Sequence, residues 1–97
     1  MGNYKLSSRA QWDVVGIYKY GIKNFGAQQA LAYLKHLEDF LKELADRPEL
    51  FRDASPIAKG LKFYAFNAHV IYFLFDQAGE INVIRILGKR MNFDEHF

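Results

Sequence analysis

Residues 27–45, AQQALAYLKHLEDFLKELA, carry the clearest structural signal in the sequence. Apolar side chains recur there every three or four positions, which is the period of an α-helix. They cover about half of the helix circumference, more than the roughly 100° stripe that packs on a single neighbour. The pattern therefore predicts a helix that packs on two elements and leaves apolar surface for another chain. The apolar half consists of Ala30, Leu31, Tyr33, Leu34, Leu37, Phe40, Leu41, Leu44 and Ala45.

A second helical pattern precedes this one over residues 9–25, RAQWDVVGIYKYGIKNF. Ser8 and Gln11 have the spacing of a capping box, so we expect this helix to start at Ser8. Gly26 suits a left-handed C-terminal cap, and so short a turn predicts an antiparallel helical hairpin. Pro48 is expected to end the second helix, before an irregular segment. The apolar stripe of the first helix consists of Ala10, Val14, Ile17, Tyr18, Gly21, Ile22 and Phe25.

The second half of the chain has the composition of β-strands. The segments LKFYAF (61–66), HVIYFLF (69–75) and EINVIRIL (80–87) are separated by short turn sequences, which predicts consecutive antiparallel hairpins. NYKLS (3–7) predicts a short first strand, and MNFDEHF (91–97) a short C-terminal turn. The predicted fold class is α+β with the order β-αα-βββ. It comprises a short N-terminal strand and an antiparallel helical hairpin packed on a small, mainly antiparallel β-sheet.

The composition narrows the possible functions. The chain has 97 residues, 51% of them hydrophobic, and a formal net charge of +2. This length predicts one domain over residues 1–97, and so much apolar surface on a small domain favours a protein partner. The mild charge does not by itself favour nucleic acid. The absence of cysteine and of long apolar runs predicts a cytoplasmic protein without a membrane span.

The motifs of the common enzyme classes are missing from the sequence. It contains no P-loop, HExxH or GxSxG pattern and no cysteine nucleophile. The three histidines, His36, His69 and His96, lie far apart without the spacing of metal ligands. We therefore expect neither a metal nor a cofactor.

Arg85 interrupts an apolar strand. By the period of two it shares a face with Ile81, Val83 and Leu87. A guanidinium in such surroundings needs its donors paired. Two interpretations stay open: an ion pair with a carboxylate of the first helix or of the tail, and an exposed arginine on a sheet face that a partner covers.

The C-terminal stretch RILGKRMNFDEHF (85–97) ends the chain on basic and aromatic residues. Arg90 could hold a phosphate, His96 could transfer a proton, and Lys89 could stabilise developing charge. The same residues could instead form a docking surface for a protein, or a solvated end of the sheet.

Three segments, in this order and spacing, resemble the ParE branch of the RelE/ParE toxin superfamily. They are FGAQQALAYL (25–34), GLKFYAFNAHVIYF (60–73) and IRILGKRMN (84–92). Members of this family are the toxins of bacterial type II toxin–antitoxin pairs. The resemblance covers nearly the whole chain and implies a helical hairpin against an antiparallel sheet, with a cognate antitoxin as partner.

The resemblance also bears on mechanism, because the superfamily divides into two branches. RelE-like members cleave mRNA on the ribosome with basic residues on the central strands, whereas ParE-like members act on DNA gyrase without being nucleases. The strand positions where the nuclease branch carries bases align with Leu61, Phe63 and Val70. Hydrocarbon cannot stabilise the charge at a cleaved phosphate. The resemblance thus implies a gyrase inhibitor with no catalytic residues and no direct nucleic-acid substrate, although Gly88 and Lys89 replace the family's common His-Gln pair.

Two protein-binding surfaces follow from the resemblance and from the residue types that anchor interfaces. The antitoxin is expected to cover the exposed apolar arc of the helical hairpin, with contacts to Trp12, Tyr20, Tyr33 and Phe40. The target is expected to contact Arg85, Lys89, Arg90, Met91, Asn92, Phe93 and Phe97.

Two alternative functions stay open. One is an mRNA endonuclease of the RelE kind that uses Lys62, Lys89, Arg90 and His96. The other is a non-toxic member of the family that acts mainly in complex formation with its antitoxin and in operon regulation.

Overall fold

The computed structural model describes residues 3–47 and 59–89, together with the backbone of residues 52–53. These residues form an α+β fold in which a helical hairpin packs on a five-stranded sheet. The predicted class and the order β-αα-βββ are confirmed, with one additional two-residue strand in the segment predicted to be irregular. The elements are β1 (Tyr4–Leu6), α1 (Ser8–Phe25), α2 (Ala27–Asp46), β2 (Arg52–Asp53), β3 (Lys62–Phe66), β4 (His69–Phe75) and β5 (Ile81–Gly88).

The sheet is mixed, with the strand order β1-β5-β4-β3-β2. β1 runs parallel to β5, and every other neighbouring pair is antiparallel, so the predicted mainly antiparallel sheet is confirmed. The parallel pair arises because the helical hairpin carries the chain away from β1 before β5 returns beside it. Tyr4 lies opposite Ile81 in this pair.

Both predicted hairpin turns are present and have identifiable causes. Asn67 adopts φ 52° in the two-residue turn between β3 and β4, a conformation that asparagine tolerates better than most residues. In the turn between β4 and β5, Asp76 Oδ1 accepts hydrogen bonds from the backbone of Ala78 and Glu80, each at 2.9 Å. Gly79 supplies the positive φ of 81° that this turn needs.

α2 and the central strands provide most of the core. Leu37, Leu41 and Leu44 of α2 are at most 2% exposed, as the apolar periodicity predicted, and they pack against fully buried strand residues such as Ile71 and Phe73. α1 differs, because Ala10 is the single buried residue among its 18, all of which the structure describes. α1 therefore lies at the margin of the core and keeps most of its surface outside.

The turn between the helices is made by Gly26, at φ 89° and ψ 160°. The predicted positive φ is confirmed, but ψ is extended rather than left-handed helical, a region that essentially only glycine occupies. The helices that it joins approach closely, since a Cβ on Gly21 would lie 3.0 Å from Cβ of Ala30.

The N-terminal cap of α1 is Ser7, so the predicted capping box starting at Ser8 is wrong by one residue. The Ser7 hydroxyl accepts from the amide of Ala10 at 3.0 Å and donates to the carbonyl of Ile84 at 2.7 Å. Gln11 donates to the carbonyl of Leu6 at 3.3 Å instead of closing a box on Ser8. Ser7 is the cap because its hydroxyl reaches a helix donor and a strand acceptor together.

β5 contains a bulge that changes which side chains share a face. Tyr72 lies opposite Arg85, yet its neighbour Phe73 lies opposite Val83, so Ile84 is an extra residue in β5. An inserted residue interrupts the alternation of a strand. The prediction that Arg85 continues the row formed by Val83 and its neighbours is therefore wrong.

Asp13 of α1 binds this irregular part of β5 with both carboxylate oxygens. Arg85 donates from Nε to Oδ2 at 2.8 Å and from Nη2 to Oδ1 at 2.9 Å, and the amide of Ile86 donates to Oδ2 at 2.9 Å. Both charged side chains are little exposed, 12% for Arg85 and 13% for Asp13. The hydrogen bond that Arg85 donates to Asp13 raises the pKa of Arg85 above its usual value. The ion pair with a first-helix carboxylate is thus the interpretation of Arg85 that the structure shows.

We call the hydrogen bonds that join β5 to Ser7, which donates to Ile84, and to Asp13, which accepts from Arg85 and Ile86, the bulge clamp. Replacing Asp13 with alanine is expected to lower the free energy of unfolding by about 3 kcal/mol, because Arg85 is left largely buried without this carboxylate. Urea denaturation measures the change. The control variant Asp39→Ala removes an exposed ion pair with Lys35. Its free energy of unfolding should fall by less than about 0.5 kcal/mol. Equal losses in the two variants would contradict a structural role for the bulge clamp.

Candidate partner-binding groove

An open groove of about 700 Å³ lies between α1 and the ends of β4 and β5 that are nearest the β3–β4 turn. One wall is the outer side of α1, and the other contains Ala68 together with the strand ends. The almost fully buried Ile86 and the half-buried Ile17 form its apolar base. The side chains and backbone that line the two walls include Trp12, Gly16 and Tyr20 on α1, and His69, Gly88 and Lys89 opposite.

Trp12 and Tyr20 are the large aromatic residues of this groove. They are 73% and 64% exposed, which is unusual for side chains that could bury so much apolar surface. Their i, i+8 spacing places both on the outer side of α1, two turns apart. These two predicted antitoxin contacts are thus brought together on one accessible wall.

The other two predicted antitoxin contacts, Tyr33 and Phe40, are used inside the molecule. The ring of Tyr33 lies 5.8 Å from that of Phe66, and the ring of Phe40 lies 4.9 Å from Phe66 and 5.1 Å from Tyr64. Both residues are half-buried. Their aromatic packing fixes α2 on β3, so the four residues do not form one surface.

His69, on the strand wall, is hydrogen-bonded to α2. Its Nδ1 lies 2.7 Å from Oη of Tyr33. Burial lowers the pKa of His69 and raises that of Tyr33, so both are held neutral near pH 7. The phenol donates to a ring nitrogen that carries no proton or accepts from one that does, so the tautomer of His69 sets the direction of this hydrogen bond. His69 is therefore a positioned, uncharged part of the groove.

The predicted nuclease residues within the described part of the chain are not brought together. Lys62 lies opposite Phe73, whereas Gly88, next to Lys89, lies opposite His69 at the other end of β4. Four residues of strand rise and two strand spacings therefore separate Lys62 from the end of β5, on the order of 15 Å between Cα atoms. The remaining two, Arg90 and His96, lie outside the described residues.

The three positions that were aligned with basic residues of the nuclease branch carry hydrocarbon side chains, on Leu61 just before β3, Phe63 in β3 and Val70 in β4. Leu61 is 3% exposed, and Phe63 and Val70 are half-buried. By strand alternation Phe63 and Val70 lie on the sheet face opposite to Ile71 and the helices. Phe63 packs there with Tyr72, at 6.2 Å between ring centres. Phe63 and Val70 thus give this face apolar surface, whereas Leu61 is buried.

Of the predicted target contacts, Arg85 and Lys89 are described. Arg85 is held in the bulge clamp, and Lys89 is exposed just after β5, with its amide donating to the carbonyl of Ala68 at 2.9 Å. The other predicted target contacts lie outside the described residues: Arg90, Met91, Asn92, Phe93 and Phe97.

Residues 3–47 and 59–89 contain no group of three histidine, aspartate or glutamate side chains that could hold a metal ion. In the same ranges, neither helix is long and apolar enough to cross a membrane.

Comparison with known families decides the identity. Residues 4–93 match the family described as the ParE toxin of the type II toxin–antitoxin system, parDE. The chain belongs to the ParE toxin family. The resemblance inferred from the sequence is thereby confirmed.

Named relatives agree with this assignment over nearly the whole chain. "Toxin ParE1" of Caulobacter vibrioides is 28% identical over 99% of this chain and 98% of its own length. "Toxin ParE" of Escherichia coli is 32% identical over 95% of this chain and 89% of its own length. A solved structure described as "Chromosomal ParDE TA system from P. aeruginosa" has a TM-score of 0.76 at 19% identity. It covers 91% of this chain and 96% of that one, which shows a shared fold.

Gly16 is one of several groove residues of this ParE toxin that sequence reasoning did not single out. A Cβ at Gly16 would meet nothing within 4 Å in the described structure, and glycine in a helix interior reduces stability. The sequence shows that Gly16 lies four residues from both Trp12 and Tyr20. This spacing alone does not identify a site, because a glycine can occur in a helix for many different reasons.

Replacing Gly16 with alanine is expected to raise the free energy of unfolding by about 0.5–1 kcal/mol, because alanine favours the helix and has room there. The matched variant Gly21→Ala should lower it, since the new Cβ would lie 3.0 Å from Cβ of Ala30. Urea denaturation of both variants tests this contrast. Destabilisation by Gly16→Ala would show that the toxin's own fold requires the glycine.

The lowered pKa of His69 has a consequence for the pH dependence of stability. The unfolded chain takes up the proton near its ordinary pKa of 6.5, before the folded chain does. Neutral His69 therefore contributes fully to the free energy of unfolding above about pH 6.5. This contribution decreases as the pH falls below 6.5 and is lost once the pH has passed the lower pKa of the folded state.

Unfolding measured between pH 7 and pH 5 should thus depend less on pH in His69→Gln than in the wild type, because this side chain no longer titrates. His36→Gln, which alters an exposed histidine of α2, should keep the wild-type dependence. An unchanged slope in His69→Gln would mean that its burial does not affect stability.

Proposed function

We propose that this ParE toxin inhibits DNA gyrase by binding it, without catalysis of its own, and that a cognate antitoxin neutralises it in the cytoplasm. The observation that carries the proposal is the hydrocarbon at Leu61, Phe63 and Val70, where the nuclease branch carries cations. Phosphoryl-transfer chemistry needs positive charge or donors aimed at the reacting phosphate. An apolar sheet face favours adhesion to another protein instead.

The distribution of basic residues also supports binding over RNA cleavage. Lys62 and the end of β5 are separated by two strand spacings and most of the length of β4. General acid–base catalysis requires its groups within hydrogen-bond reach of one substrate. The nuclease alternative would therefore have to operate without Lys62.

We assign the target surface to the end of β5 and the residues that follow it, from Lys89 to Phe97. Within this region Lys89 offers an exposed cation. Arg85 lies four residues before Lys89, and its guanidinium already binds the carboxylate of Asp13, so Arg85 holds the strand end rather than offering a charge to the target. We assign the antitoxin surface to the groove beside Trp12 and Tyr20, since their exposure leaves a large apolar area to be covered.

When purified toxin is added to gyrase and supercoiled DNA, we expect cleaved DNA to accumulate. When it is added to ribosomes with bound mRNA, we expect the mRNA to stay intact. Lys89→Ala should weaken the cleavage of DNA about fivefold, corresponding to ~1 kcal/mol of contact energy. The control Lys35→Ala removes an exposed lysine of α2 that is paired with Asp39, and it should change nothing. In cells, expression without antitoxin should induce the DNA-damage response and filamentation.

Three other results would contradict the proposal. Ribosome-dependent mRNA cleavage that disappears in Arg90→Ala would support the nuclease alternative. Harmless overexpression would support a regulatory, non-toxic member of the family. Gyrase binding that is unaffected by changes from Lys89 to Phe97 would place the target surface elsewhere.

A further inference from the structure

We propose that the outer side of α1 binds the phosphate backbone of duplex DNA, namely the DNA that gyrase holds while the toxin acts on it. The residues concerned are Arg9, Trp12, Gly16, Lys19 and Lys23, which we call the α1 ridge. This inference rests on the proposed function, because gyrase supplies the DNA. It adds a second contact, through which the toxin binds DNA without cleaving it.

The α1 ridge lies on the side of the helix that faces away from the core. At 100° per residue its five members fall within an arc of about 80°, and Lys19 lies about 180° from Ala10, the single buried residue of α1. All five members are exposed. The three cations of the α1 ridge therefore extend from one side of the helix into solvent.

The two helices of the hairpin carry opposite charge. α1 contains three cations and one carboxylate, a balance of +2, whereas α2 contains two lysines and four carboxylates, a balance of −2 with histidine neutral. The whole chain has a net charge of only +2, so this mild value conceals a concentration of positive charge on α1. Positive charge favours nucleic acid when it is clustered in this way.

The cations of the α1 ridge are not neutralised by neighbouring carboxylates. Within residues 3–47 and 59–89 neither Arg9 nor Lys19 nor Lys23 makes an ion pair, whereas each lysine of α2 pairs with a carboxylate four residues away. The one carboxylate of α1, Asp13, is bonded within the bulge clamp. An anionic ligand is thus the partner that suits these three side chains.

The spacing of the cations favours a ligand with a regular and dense row of negative charges. Arg9 and Lys23 are 14 residues apart, which corresponds to about 21 Å along the helix axis, and Lys19 lies about 6 Å from Lys23 on the same measure. B-DNA carries one phosphate charge for about every 1.7 Å of its axis. A row of cations therefore meets phosphates on DNA whatever its own spacing is, whereas an acidic peptide would need carboxylates at matching positions.

The other two members of the α1 ridge also suit contacts with phosphate. Trp12 is 73% exposed and offers an indole N–H, which can only donate a hydrogen bond. A Cβ at Gly16 would meet nothing within 4 Å in the described structure, so a ligand can approach the helix closely between the cations. Charged side chains bind phosphate strongly, and neutral donors help to position the backbone of the nucleic acid.

The α1 ridge lies next to the surface that we assign to gyrase. Trp12 of the ridge and Lys89 at the end of β5 line opposite walls of the groove between them. Lys89 is exposed and adds a fourth cation on this side of the molecule. A toxin that binds gyrase through residues 89–97 therefore holds the α1 ridge beside an enzyme whose substrate is DNA.

Fluorescence anisotropy of a labelled DNA duplex, titrated with full-length toxin at several salt concentrations, tests this contact. The logarithm of the binding constant should fall with the logarithm of the salt concentration with a slope of about −3, because three or four cations displace counterions from phosphates. In the double variant Lys19→Gln, Lys23→Gln the slope should become less steep by about 2, and binding at low salt should weaken about tenfold.

The double variant Lys35→Gln, Lys42→Gln is the matched control. It removes the same amount of charge from two exposed lysines of α2, which are already paired with Asp39 and Glu38. Its affinity for the duplex should stay within about twofold of the wild type, because these lysines do not belong to the α1 ridge and ions screen their charge from it. Thermal melting of both double variants checks that the fold is retained.

A second arm uses gyrase. The variant Lys19→Gln, Lys23→Gln should need about fivefold more toxin than the wild type to accumulate the same amount of cleaved DNA at low salt, since a contact that assists the complex is lost. In the absence of DNA it should bind gyrase as the wild type does. The matched control should equal the wild type in both measurements.

The outcomes separate this inference from the function on which it rests. If the two double variants bind the duplex equally well, the DNA contact of the α1 ridge is wrong while gyrase inhibition stands. If the wild type does not bind gyrase, the proposed function fails and this inference fails with it.

Two competitors test the class of ligand. Tighter binding of single-stranded DNA of the same length than of the duplex would identify a surface on which bases stack. Displacement of the duplex by poly-glutamate at an equal concentration of negative charge would identify a site for an acidic protein. Either result would overturn the inference.

Discussion

The bidentate contact of Asp13 with Arg85 and the amide of Ile86 is the interaction on which the arrangement of this toxin depends. The bulge in β5 disturbs its ladder with β4, and backbone groups near a bulge need other partners. α1 supplies them, from the Asp13 carboxylate and from the hydroxyl of Ser7. The helix is thereby fixed to the sheet by charge-assisted hydrogen bonds, which are among the stronger polar interactions in proteins.

This mode of attachment explains why α1 can keep aromatic residues outside. A helix that is held by burial needs a continuous apolar stripe on the core, as α2 has. α1 buries Ala10, and the bulge clamp anchors its N-terminal half. Trp12 and Tyr20 are consequently available for a partner, and the groove between α1 and β5 stays open.

The division of surfaces follows from the size of the chain. A domain of 97 residues in which 51% are hydrophobic cannot bury all of its apolar side chains. Among the described residues, the exposed apolar side chains include Trp12 and Tyr20 on the outer side of α1 and Leu31 on α2, and the half-buried Phe63 and Tyr72 add apolar surface on the sheet face away from the helices. Both surfaces suit protein contacts, which agrees with membership in a toxin family that is defined by pairing with an antitoxin.

The features that were predictable from the sequence are those with an unbroken period. α2 was predicted within one residue at its C-terminal end, because its apolar half continues to Ala45 and a proline follows. The β3–β4 and β4–β5 hairpins were predicted because short turn sequences separate the strand segments, and the structure shows positive φ at Asn67 and Gly79 in these turns. Such local signals depend little on tertiary neighbours.

The features that were missed depend on neighbours that are distant in sequence. The bulge at Ile84 adds one residue to an apolar strand, and composition does not reveal it. Of two adjacent serines, Ser7 became the cap because Ile84 lies within reach of its hydroxyl. For the candidate site, Trp12 and Tyr20 were found because they depart from the apolar stripe.

Tyr33 was assigned to the same site as part of the wide apolar half of α2, yet the structure places it against His69 and Phe66. Which aromatic residues of a helix face the sheet and which face a partner is decided by the crossing of the elements. The angle and position at which the helices cross the sheet cannot be predicted from the apolar periodicity of either helix.

Native-state hydrogen exchange of the Ile86 amide tests the central claim, that α1 is locked to β5 by Asp13, most directly. If the bulge clamp is intact in solution, this amide exchanges only through global unfolding, at the same free energy as the buried amides of Ile71 and Phe73. Exchange of Ile86 through a local opening of much lower free energy, while those two amides remain protected, would contradict it.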